Sequence, residues 1–446
     1  MLDKPNIYMI GIGGIGMSAL ARYFSSIGKS VAGYDRTPTS LCSALEGEGI
    51  NIHYEDNLDK IDRKFKDKET TTVIYTPAIP EEMGELAYFS EKGFEMLKRA
   101  RALGKITEAH TCLAVAGTHG KTTTSALLAH IFKSNGVDIA AFLGGISSNY
   151  QTNFLPPGKS DILVAEADEY DRSFLQLKPA GGIITSIDSD HLDIYGKPEE
   201  LTATFLQFRD CIRDLAIVHK NTGLPGTTYG IDNESDYCGT NVRIENHAYI
   251  FDLKLPDGTV LNDITCGLPG RHNVENAIAA AALALNFGLN SAQVKEGISS
   301  FKGVRRRFEY HIKRDRLIYI DDYAHHPAEI NALITSVREL YPAKKITGIF
   351  QPHLYSRTRD FEDDFVTALN RLDELILMDI YPAREKPIPG ISSSALFAKI
   401  EAPEKYHLST TEILTHFGNN KPEVVLTIGA GDIDRIINPL KMKLSQ

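Results

Sequence analysis

Short apolar runs recur along the chain, each closing on glycine, proline or a cluster of polar residues, and stretches of helical periodicity separate them. Asn6 to Ile10 is β-prone, Met17 to Ile27 has helical spacing, and Lys29 to Asp35 reads as a second strand ending in an acid. Val73 to Thr76 leads into Pro77-Ala78-Ile79-Pro80. The alternation continues with strands at Cys112 to Ala116, Asp161 to Ala165 and Gly181 to Ile187, a helix at Ser125 to Asn135, and a buried apolar helix from Ala277 to Leu285. In the last third, Leu317 to Ile320, Ile346 to Phe350 and Glu423 to Ile428 read as strands, with a helix from Ala328 to Leu340. Strand alternating with helix predicts an α/β protein built on parallel sheets, with ligands beyond the carboxyl ends of the strands. Residues 221–264 break the rhythm: turn signals and alternating runs such as Ala248 to Leu255 predict a small antiparallel appendage.

The polar clusters at those strand ends carry the candidate chemistry. Gly11-Ile12-Gly13-Gly14-Ile15-Gly16 follows the first strand and opens a helix, and Asp35 ends the second strand, which is the layout of a dinucleotide-type unit. Gly117-Thr118-His119-Gly120-Lys121-Thr122-Thr123 lies between a strand and a helix. Backbone N–H groups of such a turn face anionic oxygens, a lysine adds charge, and a following hydroxyl can hold Mg²⁺. Two residues separate its glycines where the strict P-loop has four, so the form is a variant. Two further strand ends are rich in acids, Glu166-Ala167-Asp168-Glu169-Tyr170-Asp171 and Asp188-Ser189-Asp190-His191-Leu192-Asp193. Hard oxygen ligands at these positions suit Mg²⁺ beside a triphosphate. Gly270-Arg271-His272-Asn273-Val274-Glu275-Asn276 opens the apolar helix, where its polar residues either cap the helix or face a base. Arg305-Arg306-Arg307 is a basic knot on a linker, either solvated or turned onto a ligand. Asp321-Asp322-Tyr323-Ala324-His325-His326-Pro327, Gln351-Pro352-His353-Leu354-Tyr355-Ser356-Arg357 and Gly429-Ala430-Gly431-Asp432 complete the set.

Composition narrows the class. With 446 residues, 42% hydrophobic and 24% charged, the chain is long enough for about three domains. Its formal net charge of -10 argues against nucleic acid or acidic membrane as a general partner. The five cysteines form no CxxC pair, which removes a disulfide framework and a zinc site and fits a reducing cytoplasm. No apolar stretch reaches the roughly 20 residues of a membrane span.

Taken together, the motifs from Gly11 to Arg359 closely resemble the Mur ligases, the ATP-dependent amide-forming enzymes of peptidoglycan precursor synthesis, and within them the alanine-adding branch. The resemblance implies three domains: a Rossmann-like UDP-binding domain at 1–104, a central P-loop-type ATPase domain with a parallel sheet at 105–304, and a C-terminal Rossmann-like domain at 305–446. It implies a cytoplasmic enzyme, monomer or homodimer, that joins L-alanine to UDP-N-acetylmuramate with ATP and Mg²⁺, two ions, for which Mn²⁺ can substitute. Gly11, Gly13, Gly14, Ile15, Gly16 and Asp35 would hold the UDP-sugar. Gly117, Thr118, His119, Gly120, Lys121, Thr122 and Thr123 would hold the phosphates, His272, Asn273 and Asn276 the adenine, and Arg307 and Asp322 the ribose and phosphates. Thr122, Glu166 and His191 would ligate metal, while His325, His353 and Arg357 would line the place where the amino acid meets the muramyl carboxylate, with Lys121 completing the catalytic set. Leu354 stands where members often carry arginine, which leaves the amino acid's carboxylate to Arg357. Two rival readings remain: a sister ligase that attaches a tripeptide, and a nicotinamide oxidoreductase resting on the Gly11 turn and Asp35.

Overall fold

A computed structural model describes residues 3–80, 82–188, 195, 197–383, 385–419 and 422–445. Three sheets carry the described chain. The first is wholly parallel, with strands β1 (Asn6–Ile10), β2 (Ser30–Tyr34), β3 (Asn51–His53), β4 (Thr71–Tyr75) and β5 (Glu95–Lys98) in the order β3-β2-β1-β4-β5. Order reverses between β1 and β4, and the glycine turn after β1 sits at that switch point, where open α/β sheets bind ligands. Helices α1 (Ile15–Ser26), α2 (Ser40–Gly47), α3 (Gly84–Glu91) and α4 (Arg99–Thr107) accompany it.

The second sheet has ten strands: β6 (Thr111–Ala116), β7 (Ala140–Ser147), β8 (Thr152–Leu155), β9 (Ile162–Glu166), β10 (Gly181–Ile184), β11 (Leu215–His219), β12 (Thr227–Ile231), β13 (Tyr237–Glu245), β14 (Ala248–Lys254) and β15 (Val260–Thr265). β6 lies between β10 and β9, parallel to both. Its fully buried Cys112, Leu113, Ala114 and Val115 explain why the run is apolar throughout rather than alternating. Helices α5 (Lys121–Ser134), α6 (Pro198–Cys211), α7 (Arg271–Asn286) and α8 (Ser291–Ser300) belong with it. The antiparallel appendage expected at 221–264 is corrected in its first part: β12 pairs parallel with β11, and β13 parallel with β12, so the segment extends the main sheet, while β13 and β14, joined by only two residues, and β15 follow as neighbouring edge strands in the antiparallel manner expected. A loop makes that possible, with Asp232 at φ +52 turning the chain back and the Asp236 carboxylate accepting both the N–H and the hydroxyl of Thr228 at 2.7 Å.

The third sheet orders β16 (Glu309–Arg314), β17 (Leu317–Asp322), β18 (Ile346–Phe350), β19 (Glu374–Leu377), β20 (Glu404–His407) and β21 (Val424–Ile428) as β16-β17-β21-β18-β19-β20. All pairs are parallel except β16 with β17. Helices α9 (Pro327–Leu340), α10 (Tyr355–Asp360), α11 (Glu362–Leu369), α12 (Ser393–Lys399), α13 (Thr410–Asn419) and α14 (Asp434–Leu444) complete it. By internal contacts the chain forms two compact units, residues 1–241, 251–265 and 275–302, and residues 242–250, 266–274 and 303–446. In the first unit the two sheets share one apolar core, in which Tyr23 of α1 meets Phe142 and Phe154 at ring distances of 5.5 and 6.2 Å. Asn153, fully buried, pins the same face by donating to the Ile15 carbonyl at 2.6 Å and to Ser18 Oγ at 3.0 Å. No helix among the described residues is long and apolar enough to cross a membrane.

One buried group makes the first sheet sensitive to pH. The Tyr8 hydroxyl donates to Glu85 Oε2 at 2.7 Å, and His53 Nε2 lies 2.7 Å from that hydroxyl and 3.3 Å from Glu85 Oε1. Burial pushes the Glu85 carboxyl up to about 7, with repulsion from Asp56 adding to it. The folded state therefore holds this proton more tightly than the unfolded chain, and stability falls as pH rises from the ordinary glutamate range toward 7. Thermal denaturation between pH 5 and pH 8 should show a smaller decline for Glu85→Gln than for the wild type.

Candidate functional site

In the first unit the candidate phosphate turn leaves β6 and enters α5. Gly117 and Gly120 have φ of +139 and +82, a region that side chains rarely adopt. A Cβ at Gly117 would lie 2.0 Å from Thr185 Oγ1, and one at Gly120 would lie 2.7 Å from Asn276 Oδ1, so close approach also demands glycine at both places. The end of β10 braces the turn from below. The N–H of His119 donates to Ser186 Oγ at 2.9 Å, the N–H of Thr118 to the Ser186 carbonyl at 3.1 Å, and the N–H of Asp188 to Thr118 Oγ1 at 3.0 Å. From α7, Asn276 Oδ1 accepts the Thr124 hydroxyl at 3.0 Å. No side chain caps the amino end of α5, so its first N–H groups face the hollow of the turn.

Lys121 closes that turn. Its Nζ donates to the carbonyls of Gly117 and Thr118 and to Glu169 Oε1, the last at 2.8 Å. Burial would push the ammonium down, but Glu169, Glu166 and Asp168 outweigh it and hold Lys121 above its ordinary value. Glu169 is itself fully buried. Glu166 ends β9 directly across from Val115 of β6, two residues before Gly117. A Cβ on Gly144 of β7 would lie 2.2 Å from Glu166 Oε2, so only glycine leaves room for that carboxylate. With Thr122 in the first turn of α5, this is a hard-oxygen donor set that fits a magnesium ion. His191, the third expected ligand, and the motif from Ser189 to Asp193 lie outside the described residues.

The other glycine turn is anchored by Asp35, whose Oδ2 accepts the Gly13 N–H at 2.8 Å. Gly11 and Ile12 donate to the Tyr34 carbonyl, with Gly11 at φ +82. Gly14 is the uncapped N-cap of α1, with Ile15 as its first residue. A Cβ on Gly16 would lie 2.7 Å from Arg99 Nη1, and Arg99 in turn pairs with Asp168 at 3.1 Å. Beside it a cavity of about 390 Å³ is lined by Lys98, Arg99, Arg101 and Arg172. Sequence reasoning missed this basic cavity, although Lys98-Arg99-Ala100-Arg101 at a strand end in an acidic chain was the available signal.

The second unit gathers its candidate residues at the carboxyl ends of β17 and β18. Asp322 Oδ2 accepts the Phe308 N–H at 2.7 Å and Oδ1 the Ala324 N–H at 2.8 Å, and burial pushes the acid up to about 6. Asp322 thereby ties the linker to β17, as does Arg306, which pairs with buried Asp321 at 3.1 Å and donates to the Gly429 carbonyl at 2.6 Å. The guanidinium of Arg307 lies over the Tyr323 ring at 5.1 Å. The rings of His325 and His353 are 6.0 Å apart, and Arg357 Nη1 lies 3.4 Å from His353 Nδ1. Leu354, at φ +72, makes the turn that starts α10 and donates its N–H to the Tyr381 carbonyl at 2.9 Å. His326 is a helix cap, its Nδ1 accepting the Ala328 N–H at 3.4 Å. His272 and Asn273 group with this unit and Asn276 with the first, while Asn273 Nδ2 donates to the Pro269 carbonyl at 2.6 Å.

Three family models match in sequence: the Mur ligase family catalytic domain over residues 6–111, the Mur ligase middle domain over 115–284, and the Mur ligase glutamate ligase domain over 306–431. The chain is 49% identical over 443 residues to a UDP-N-acetylmuramate–L-alanine ligase of Flavobacterium psychrophilum, covering 99% of this chain and 98% of that one. It is equally 49% identical to the ligase of that name from Parabacteroides distasonis, covering 98% and 96%. Among solved structures, the UDP-N-acetylmuramate-alanine ligase of Thermotoga maritima superimposes with a TM-score of 0.86 at 27% identity over 99% of both chains. A murein peptide ligase from Psychrobacter arcticus shares the fold, with a TM-score of 0.70 at 22% identity over 99% of both chains.

The close approach at Gly117 generates a direct expectation. Gly117→Ala forces a Cβ against Thr185 and adds backbone strain on the order of 1–3 kcal/mol. Calorimetric titration with a non-hydrolysable ATP analogue should show binding lost or weakened at least tenfold, while circular dichroism stays close to wild type.

Proposed function

The chain belongs to the Mur ligase family, and from that premise we propose that it joins L-alanine to the lactyl carboxylate of UDP-N-acetylmuramate, converting ATP to ADP and phosphate. The observation that carries this reading is the full-length likeness to alanine ligases, 49% identical across both chains. Mur ligases are ATP-dependent, and a related ligase of Thermotoga maritima was crystallised with ADP. Reliance on ATP assigns the reaction to the cytoplasm.

A carboxylate is a poor acyl donor, and its charge repels a triphosphate, so catalysis must neutralise the phosphates and align the attacking oxygen. The turn from Gly117 to Thr123 receives the phosphates on its N–H groups, and Lys121 leaves Glu169 to meet them. Thr122 and Glu166 would hold Mg²⁺, with His191 as the expected third ligand, and the ion would supply charge neutralisation at the phosphates. The carboxylate oxygen attacks the γ-phosphorus, ADP departs, and the substrate becomes an acyl phosphate. The amine of alanine then adds to the acyl carbon, and the adduct collapses to amide and phosphate. Asp35 and the glycine turn from Gly11 to Gly16 hold the uridine diphosphate, with Arg99 adding positive charge beside it. Arg357 receives the carboxylate of the amino acid.

Phosphate release from UDP-N-acetylmuramate and MgATP should be fastest with L-alanine, compared with glycine, L-serine and the tripeptide. Preference for the tripeptide would reassign the chain within the family, and NAD(P)H binding without phosphate release would reassign its class. Replacing the lysine as Lys121→Ala, with Glu169→Gln to relieve the buried charge that faces it, should lower ADP formation by about 10²–10³-fold while leaving UDP-sugar binding near wild type. ADP production at the wild-type rate would remove Lys121 from the phosphate site.

A further inference from the structure

On the ligase reading, the alanine ammonium must lose a proton before it attacks, and two histidines border the place assigned to it. Their neighbours dictate opposite hydrogen placements. His325 Nδ1 lies 3.0 Å from the Tyr323 carbonyl oxygen and 3.4 Å from Glu329 Oε2. A carbonyl can only accept, so Nδ1 carries the hydrogen and the lone pair of the neutral ring is on Nε2. His353 Nδ1 instead faces Arg357 Nη1 at 3.4 Å. A guanidinium can only donate, so in that ring the lone pair is on Nδ1 and Nε2 carries the hydrogen. We propose that His325 Nε2 takes the proton from the amino acid's ammonium, that Glu329 is the positioning residue for that base, and that His353 stays neutral and donates from Nε2.

Glu329 is locked in place by a second duty. It is the third residue of α9 and closes a capping box with His326, its Oε2 accepting the N–H groups of His325 at 3.0 Å and His326 at 3.3 Å. The other carboxylate oxygen faces Arg307 Nη1 at 3.8 Å. The Tyr323 carbonyl thus fixes the tautomer, while the side chain that caps the helix holds the same oxygen 3.4 Å from Nδ1, where its charge stabilises the imidazolium once formed. The groups facing His325 are Glu329 on α9, Tyr323 at the end of β17, Arg307 on the linker, Arg357 on α10 and His353 beyond β18. Burial pushes His325 below its ordinary value and Glu329 pulls it back up, while Arg357 and Arg307 press it down. The ring is therefore neutral and able to accept a proton at neutral pH. Burial, then His325 and Arg357, push His353 down to about 4, which makes protonation there far costlier.

Two assays on the full chain test this, each with UDP-N-acetylmuramate and MgATP. One follows the acid limb of kcat/KM for L-alanine; the other replaces alanine with hydroxylamine, which is already an uncharged nucleophile at neutral pH, and measures hydroxamate. His325→Gln should lower alanyl product formation by about 10²–10⁴-fold, while hydroxamate formation stays close to wild type. Glu329→Gln keeps a capping-box residue but removes the charge that favours the imidazolium. It should shift the acid limb to lower pH and lower kcat with L-alanine, leaving the melting temperature and the KM for ATP near wild type. The proposal is overturned if His325→Gln loses hydroxamate as severely as alanyl product, if Glu329→Gln leaves the limb in place, or if His353→Gln moves it instead. A wild-type chain that makes neither product overturns the ligase reading itself, which separates that failure from a wrong choice of base.

Discussion

A buried ammonium must be answered by negative charge, and the site in the first unit is arranged around that requirement at Lys121. Carbonyls of the turn and the carboxylate of Glu169 surround it, so the loop keeps its form through the charge of Lys121. Thr185 and Ser186 support the loop from β10, and Asn276 supports it from α7. Shape and charge then serve one end, since a turn held this closely keeps its N–H groups in a fixed direction.

Much of this was legible because parallel sheets put their chemistry in a predictable place. Apolar runs ending in glycine or acid mark strand ends, and the turns at Gly11 and Gly117 and the carboxylate of Glu166 stand where that pattern directs. Which member of the acid run serves Lys121 was not legible. Four carboxylates in six residues look alike in sequence, and only the fold shows that Glu169 is the fully buried one, just ahead of a kink in which Asp171 and Arg172 take φ of +50 and +60. A brace from a distant segment, such as Ser186 after β10, carries no local signal at all. The parallel pairing of β12 and β13 escaped pattern reading because short alternating runs between turns look the same whether their partner runs with them or against them.

In the second unit the adjacent histidines of one motif have different work. His326 caps a helix, whereas His325 points its Nδ1 at the chain's own carbonyl and at Glu329. Residue type marks both as candidates, and only hydrogen-bond direction separates them. The same test divides His325 from His353, two half-buried rings whose partners differ in the sign of what they offer.

Asp168 and Glu169 are adjacent in sequence, yet they serve different cations: Asp168 pairs with Arg99 against the turn at Gly16, and Glu169 pairs with Lys121 under the turn at Gly117. A single peptide unit thus joins the counter-charges of Arg99 and Lys121. Any displacement of that peptide therefore bears on both ion pairs at once.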